Sequence, residues 1–187
     1  MKNLNGKFAL ITGGSSGIGL ALACKLFASG MSVAILARDQ KRLDEALEII
    51  EKSRQNPLQK LIAISADVTD AKAIALTLAD LKTNHGLPDL LINCAGVAKP
   101  GYAELLPLED FRWMMDIDYH GTVNVTQTLL PDFIARGSGH IVNFSSLAGA
   151  VGIFGYTAYC GAKFAVRGYS DALRSEMKPR GIRISCV

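Results

Sequence analysis

Tyr159 and Lys163 stand at i and i+4 in the stretch YCGAK, so on a helix they share one face about one turn apart. A phenol with an ordinary pKa of about 10 is a poor proton shuttle at neutral pH. A neighbouring ammonium favours the phenolate, and each unit of downward shift corresponds to about 1.4 kcal/mol. Such a pair is a tunable acid–base. The competing reading is an amphipathic pair on a solvated helix face.

A second stretch with chemical content is TGGSSGIG at 12–19. Gly13, Gly17 and Gly19 lack Cβ atoms, so backbone amides there can approach a pyrophosphate, and the N-terminus of a following helix adds positive partial charge. The spacing is GxxxGxG, not GxGxxG. A tight strand-to-helix turn with caps at Ser15 and Ser16 would use the same residues. Roughly 20 residues beyond the last glycine, an acidic side chain selects NAD through the ribose 2′-hydroxyl, and an arginine accommodates the 2′-phosphate of NADP. Here the chain reads LARDQ, with Arg38 at that place and Asp39 positioned to cap the next helix. Arg38 therefore points to NADPH. Asp67 suits either the adenine amino group or a capping role.

Short apolar runs alternate with helical stretches, which specifies a parallel sheet covered on both faces. KFALIT, SVAILA, KLIAISA, DLLINCA, HIVNFSS and IRISCV read as six strands. Helices are expected over Ile18–Ala28, from Asp39 with Leu43, Leu47 and Ile50 on one face, from Asp70 past Leu78, over Leu108–Ala135, and over Tyr156–Met177. Pro131 is expected to kink or end the fourth of these. Right-handed crossovers make the sheet doubly wound, with ligands at the carboxyl ends of the strands. Gly13–Gly19, Asp67, Asn93–Gly96 and Ser145–Ser146 all fall just after strand ends, on one rim.

The 187 residues, 49% of them apolar with a net charge of +3, fit one domain with a sizeable core. The basic residues form no stripe, which speaks against a nucleic-acid partner. Apolar runs such as FALI are too short to span a bilayer, and Met1–Lys7 lacks the pattern of a signal peptide. Cys24, Cys94, Cys160 and Cys186 are scattered and read as reduced thiols of a cytoplasmic protein. His85, His120 and His140 are isolated, so no metal site is expected.

Taken together, TGGSSGIG, DV at 67–68, NCAG at 93–96, IVNFSS at 141–146 and YCGAK at 159–163 resemble the classical short-chain dehydrogenases/reductases over almost the whole chain. INCAG, GIFGYTAY, KFAVRG and EMKP are similar to the 3-ketosphinganine (3-ketodihydrosphingosine) reductase branch. The resemblance implies a Rossmann-type α/β domain, residues 1–187, that binds NADPH and reduces a hydrophobic ketone. It implies that Tyr159 protonates the carbonyl oxygen, that Lys163 also holds the nicotinamide ribose, and that Ser146 positions the same oxygen. It runs the cofactor along Gly13, Ser15, Ser16, Gly17, Ile18, Gly19, Arg38, Asp67, Val68, Asn93, Ala95 and Gly96. A homodimer or homotetramer is implied as well, and a lipid substrate allows contact with a membrane surface.

Two departures stand out. The family has an asparagine where this chain has Asp118, nearly isosteric but without amide donors and negative when ionised. Asp118 near Lys163 would favour the ammonium yet partly cancel its field at Tyr159; the alternative is that its carboxylate accepts the water that the family's asparagine helps to hold against the lysine, with little consequence. GIRISCV stops inside an apolar strand, whereas the family continues into a substrate loop and one more strand. The expectation is that these residues are an incomplete account of the functional protein, and that alone they are weakly stable and poorly active. Between Ser146 and Tyr159, Leu147, Val151, Ile153 and Phe154 are expected to line the substrate pocket, with GVAKPGYAELL and Lys99 at its entrance.

Overall fold

In the computed structural model, which describes residues 4–187, the apolar runs form β1 (Phe8–Thr12), β2 (Ser32–Ala37), β3 (Leu61–Ser65), β4 (Leu90–Asn93), β5 (Gly139–Asn143) and β6 (Ile182–Cys186). Residues 1–3 of the Met1–Lys7 stretch lie outside the described residues. The strands are parallel in the order β3-β2-β1-β4-β5-β6. The order reverses between β1 and β4, which opens a crevice at their carboxyl ends.

Each strand sends alternate side chains to opposite faces, so a sheet covered on both sides needs apolar residues throughout. β1 is buried along its length. Ala9 and Ile11 pack with Phe27 of α1 (Gly17–Ala28) and with Leu43 and Ile50 of α2 (Gln40–Glu51). Phe8 and Leu10 pack on the other face with α3 (Ala71–His85), α5 (Gly121–Arg136) and α6 (Thr157–Met177). Asp39 caps α2 by accepting from Arg42 N, and Asp70 caps α3 by accepting from Lys72 N and Ala73 N. Gly86 and Gly137, both at positive φ, close α3 and α5.

The expected helix over Leu108–Ala135 differs in two respects. It consists of α4 (Leu108–Met114), a π-helical turn (Met115–His120) and α5, and it continues through Pro131 to Arg136 rather than ending early. The π turn widens the backbone by one residue and carries Asp118 into the protein interior, where 1% of its surface is exposed. A 3₁₀ turn at Leu147–Gly149 follows β5 and begins at Ser146.

Candidate active site

The glycine turn is built around the end of β1. Thr12 Oγ1 accepts from Cys94 N at 3.2 Å and Ala95 N at 3.1 Å, which ties the segment after β4 to the turn after β1. A Cβ on Gly13 would lie 2.9 Å from Ala95 Cα, and one on Gly19 would lie 2.2 Å from the Gly13 carbonyl oxygen. Those two glycines permit the close packing itself. Gly17 has φ +52° and faces open space. Ser16 occupies the N-cap position of α1, yet its side chain makes no cap hydrogen bond. The serine-cap alternative is thus not how the loop is held. Ser15 and Ser16 instead line a cleft beside an uncapped helix N-terminus, an arrangement that suits a phosphate.

That cleft has a volume of about 250 Å³ and reaches from the glycine turn to Arg38 and Asp67. Asp39 is the helix cap that its position implied, with Oδ1 3.1 Å from Arg42 N. Asp67 does not cap α3. Its Oδ1 accepts from the backbone N–H and hydroxyl of Thr69, both at 2.9 Å, and its Oδ2 lies 3.8 Å from Arg38 Nη1. Val68 is buried at the cleft wall. Ala95, Gly96 and Val97 form the opposite wall, and Gly96 and Val97 also border a second cleft lined by Ile18, Cys94, Tyr159 and Lys163. The two clefts therefore run end to end, as an extended dinucleotide would need. Asn93 is placed differently: its side chain is buried and donates to Thr126 Oγ1 and Asn143 Oδ1, both at 2.9 Å.

At the far end, α6 presents Tyr159 and Lys163 on one face, with the ammonium 5.5 Å from the phenol ring centre. Lys163 is 4% exposed, and Nζ donates to the Phe144 carbonyl oxygen at 3.0 Å. Nζ also lies 3.8 Å from Asp118 Oδ1, which accepts from Val97 N at 2.8 Å. Asp118 Oδ2 is buried without a hydrogen-bond partner. Gly96 makes room for this pair, since a Cβ there would lie 2.7 Å from Asp118 Oδ1. Ser146 Oγ accepts from Ala148 N at 3.1 Å, and its hydroxyl stands close enough to the Tyr159 phenol to favour the phenolate. Ser145 is structural: its hydroxyl donates to the Lys163 carbonyl at 2.9 Å. Tyr156 packs edge-on against Tyr159, with ring centres 6.0 Å apart.

Electrostatics follow from burial. Desolvation pushes the Asp118 carboxyl up to about 6, opposed by the Lys163 charge and the Val97 hydrogen bond. Desolvation pulls Lys163 down, while Asp118 holds it up. Tyr159 is raised above its ordinary 10, first by burial, against the pull of the Ser146 hydroxyl and with a further push from Asp118. The expected depression of the phenol is thus not a property of the protein alone. Burial is the largest influence on the phenol, and it favours the protonated form, the one that can give up a proton.

The model of the short-chain dehydrogenase family matches residues 7–187. The chain belongs to the short-chain dehydrogenase family. It is 38% identical to the 3-dehydrosphinganine reductase of Danio rerio over 97% of this chain and 55% of that protein. The chain thus spans about half the length of that relative. Among solved structures it is similar to an NAD+-bound xylitol dehydrogenase (TM-score 0.92, 27% identity, 98% of this chain and 69% of that one). It is also similar to the L-sorbose reductase of Gluconobacter frateurii complexed with NADPH and L-sorbose (TM-score 0.91, 26% identity, 98% and 69%). The likeness to 3-ketosphinganine reductases and the Rossmann-type fold read from the sequence are both borne out.

As in other short-chain dehydrogenases, distant segments converge here, and several contributors have no sequence signal of their own. Thr12, Phe144 and Val97 act through a hydroxyl, a carbonyl and an amide at strand ends. Asn143 continues the Asn93 bond to Ser170 Oγ at 2.9 Å, so a buried polar chain crosses from α5 through β4 and β5 to α6. The segments expected to form the substrate wall do lie side by side. Gly101 N donates to Gly155 O at 2.8 Å, and Tyr102 meets Phe154 edge-on at 5.6 Å. Leu147, Val151 and Phe154 are exposed there. Lys99 is not a free polar contact at the entrance, because it is paired with Asp110 at 2.6 Å.

Proposed function

We propose that the protein is an NADPH-dependent reductase of a hydrophobic ketone, with 3-ketosphinganine reduced to sphinganine as the favoured reaction. The observation that carries the chemistry is that Tyr159 and Lys163 stand at the far end of the clefts that run from Arg38, with the Ser146 hydroxyl beside the phenol. When bound, the nicotinamide supplies a hydride to the carbonyl carbon. Ser146 holds the carbonyl oxygen beside Tyr159, which donates its proton to that oxygen, so hydride and proton together give the secondary alcohol. Lys163, held by Phe144 O, stabilises the phenolate left behind and serves the nicotinamide ribose. Solvent restores the phenol. Ser15, Ser16 and the uncapped start of α1 serve the pyrophosphate, and Arg38 serves the 2′-phosphate.

The choice of a long-chain 3-keto sphingoid base is supported by the reductases to which the chain is similar and by the exposed apolar side chains of Leu147, Val151 and Phe154, which we take to wall the substrate pocket. That wall also suits a second substrate class, a 3-oxoacyl, steroid or xenobiotic carbonyl. Retention of Ser146, Tyr159 and Lys163 speaks against an inactive cofactor-binding module. We take the protein to form a homodimer or homotetramer and, for a lipid substrate, to work in the cytoplasm at a membrane surface. No helix among the described residues is long and apolar enough to cross a membrane. The test is oxidation of NADPH by a ketone panel. Highest kcat/KM with 3-ketosphinganine supports the reading, higher kcat/KM with another ketone selects the second class, and no turnover of any ketone overturns it.

A further inference from the structure

Arg42, on the first turn of α2, lines the same cleft as Arg38, Ser15, Ser16 and Asp67. Its neighbours Gln40 and Lys41 do not line it. The backbone N–H of Arg42 is committed to the Asp39 cap at 3.1 Å, which fixes the turn without using the side chain. The Arg42 guanidinium has no hydrogen-bond or ion-pair partner among the described residues. Arg38, by contrast, stands 3.8 Å from the Asp67 carboxylate.

A phosphate monoester carries a charge of about −1.5 to −2 at pH 7 and presents three acceptor oxygens. One guanidinium that already faces a carboxylate cannot neutralise it. The two carboxylates of the cleft are occupied by their own loops, Asp39 by the helix cap and Asp67 by Thr69. Among the described residues the unpaired cation of this cleft is Arg42. We infer that Arg42 is a second specificity-determining residue, which with Arg38 grips the 2′-phosphate of the cofactor as a two-guanidinium clamp. This inference rests on the NADP reading above.

The experiment measures binding of NADPH, NADH, adenosine 2′,5′-bisphosphate and 5′-AMP to the purified protein and to Arg38→Ala, Arg42→Ala and Arg42→Lys, at one ionic strength. Because the cap uses only the Arg42 backbone, the substitutions leave α2 intact. Arg42→Ala is expected to weaken NADPH and the 2′,5′-bisphosphate about tenfold and to leave NADH and 5′-AMP within about twofold. Arg42→Lys is expected to recover part of that loss, since a point charge remains without the fork. If Arg38→Ala weakens NADPH but Arg42→Ala does not, the clamp is overturned while the NADP reading stands. Equal losses for NADPH and NADH in Arg42→Ala also overturn it. An unmodified protein that binds both cofactors equally removes the NADP reading, and the clamp with it.

Discussion

Asp118 Oδ1 lies 3.8 Å from Lys163 Nζ, with the two side chains 0% and 5% exposed, and the second carboxylate oxygen has no hydrogen-bond partner. Water screens this pair little, so its charge state reaches Tyr159. With Asp118 titrating at about 6, the carboxylate is ionised at neutral pH and holds the phenol up. Asp118→Asn removes that charge and restores an amide donor. The basic limb of the pH–rate profile for alcohol oxidation should then move to lower pH, with higher turnover at neutral pH. Superimposable profiles with one ketone–alcohol pair would show that the charge does not reach the phenol.

The same carboxylate should weaken the fold at neutral pH. Its pKa rises from 3.8 to about 6 on folding, so between those values the native state keeps a proton that the unfolded chain has released. Stability is therefore highest below about pH 4 for this group and is lost as pH rises through about 6. Urea unfolding should show native stability falling as pH rises from about 4 to about 6, and Asp118→Asn should flatten that fall. A pH dependence unchanged by the substitution would show that this carboxylate does not carry it.

Chemistry and cofactor binding should separate at α6. Tyr159→Phe keeps the ring but removes the proton donor, so kcat should fall by about 10²–10⁴ while NADPH affinity stays within about twofold. Lys163→Ala should damage both, through the ribose contact and the field at the phenol. Near-normal turnover by Tyr159→Phe would sink the assignment of the acid.

Arg38→Asp should reverse or flatten a preference for NADPH over NADH, because it puts a carboxylate where the 2′-phosphate is proposed to sit. The ratio of the two dissociation constants, measured by fluorescence titration, checks this. An unchanged ratio would remove Arg38 from cofactor selection.

Asn93 should act mainly through the fold. Asn93→Ala leaves Asn143 Oδ1 and Thr126 Oγ1 without their shared donor inside the protein. The cost should be about 2–4 kcal/mol in denaturant unfolding. NADPH affinity of the folded fraction should change little, and a large selective loss of affinity would place the Asn93 side chain in the cofactor site.

Some of this protein was written in local sequence. The alternation of apolar runs with 3.6-period stretches, the caps Asp39 and Asp70, and the i, i+4 spacing of Tyr159 and Lys163 each depend on a few neighbouring residues. The glycine turn was legible for the same reason, although which glycines serve packing emerged only when Ala95 was seen against Gly13. Tertiary structure alone decided the rest. The π turn that buries Asp118 depends on α4, α5 and α6 packing together, and no local propensity marks it. Whether a carboxylate is ionised, and whether a phenol is raised or lowered, depends on burial and on charges brought in from distant segments. Lys163 finds Phe144 O, and Arg42 joins Arg38 in one cleft, because strands far apart in sequence end on one rim. Local sequence fixes the period and the caps; desolvation and charge pairing exist only once the chain has closed on itself.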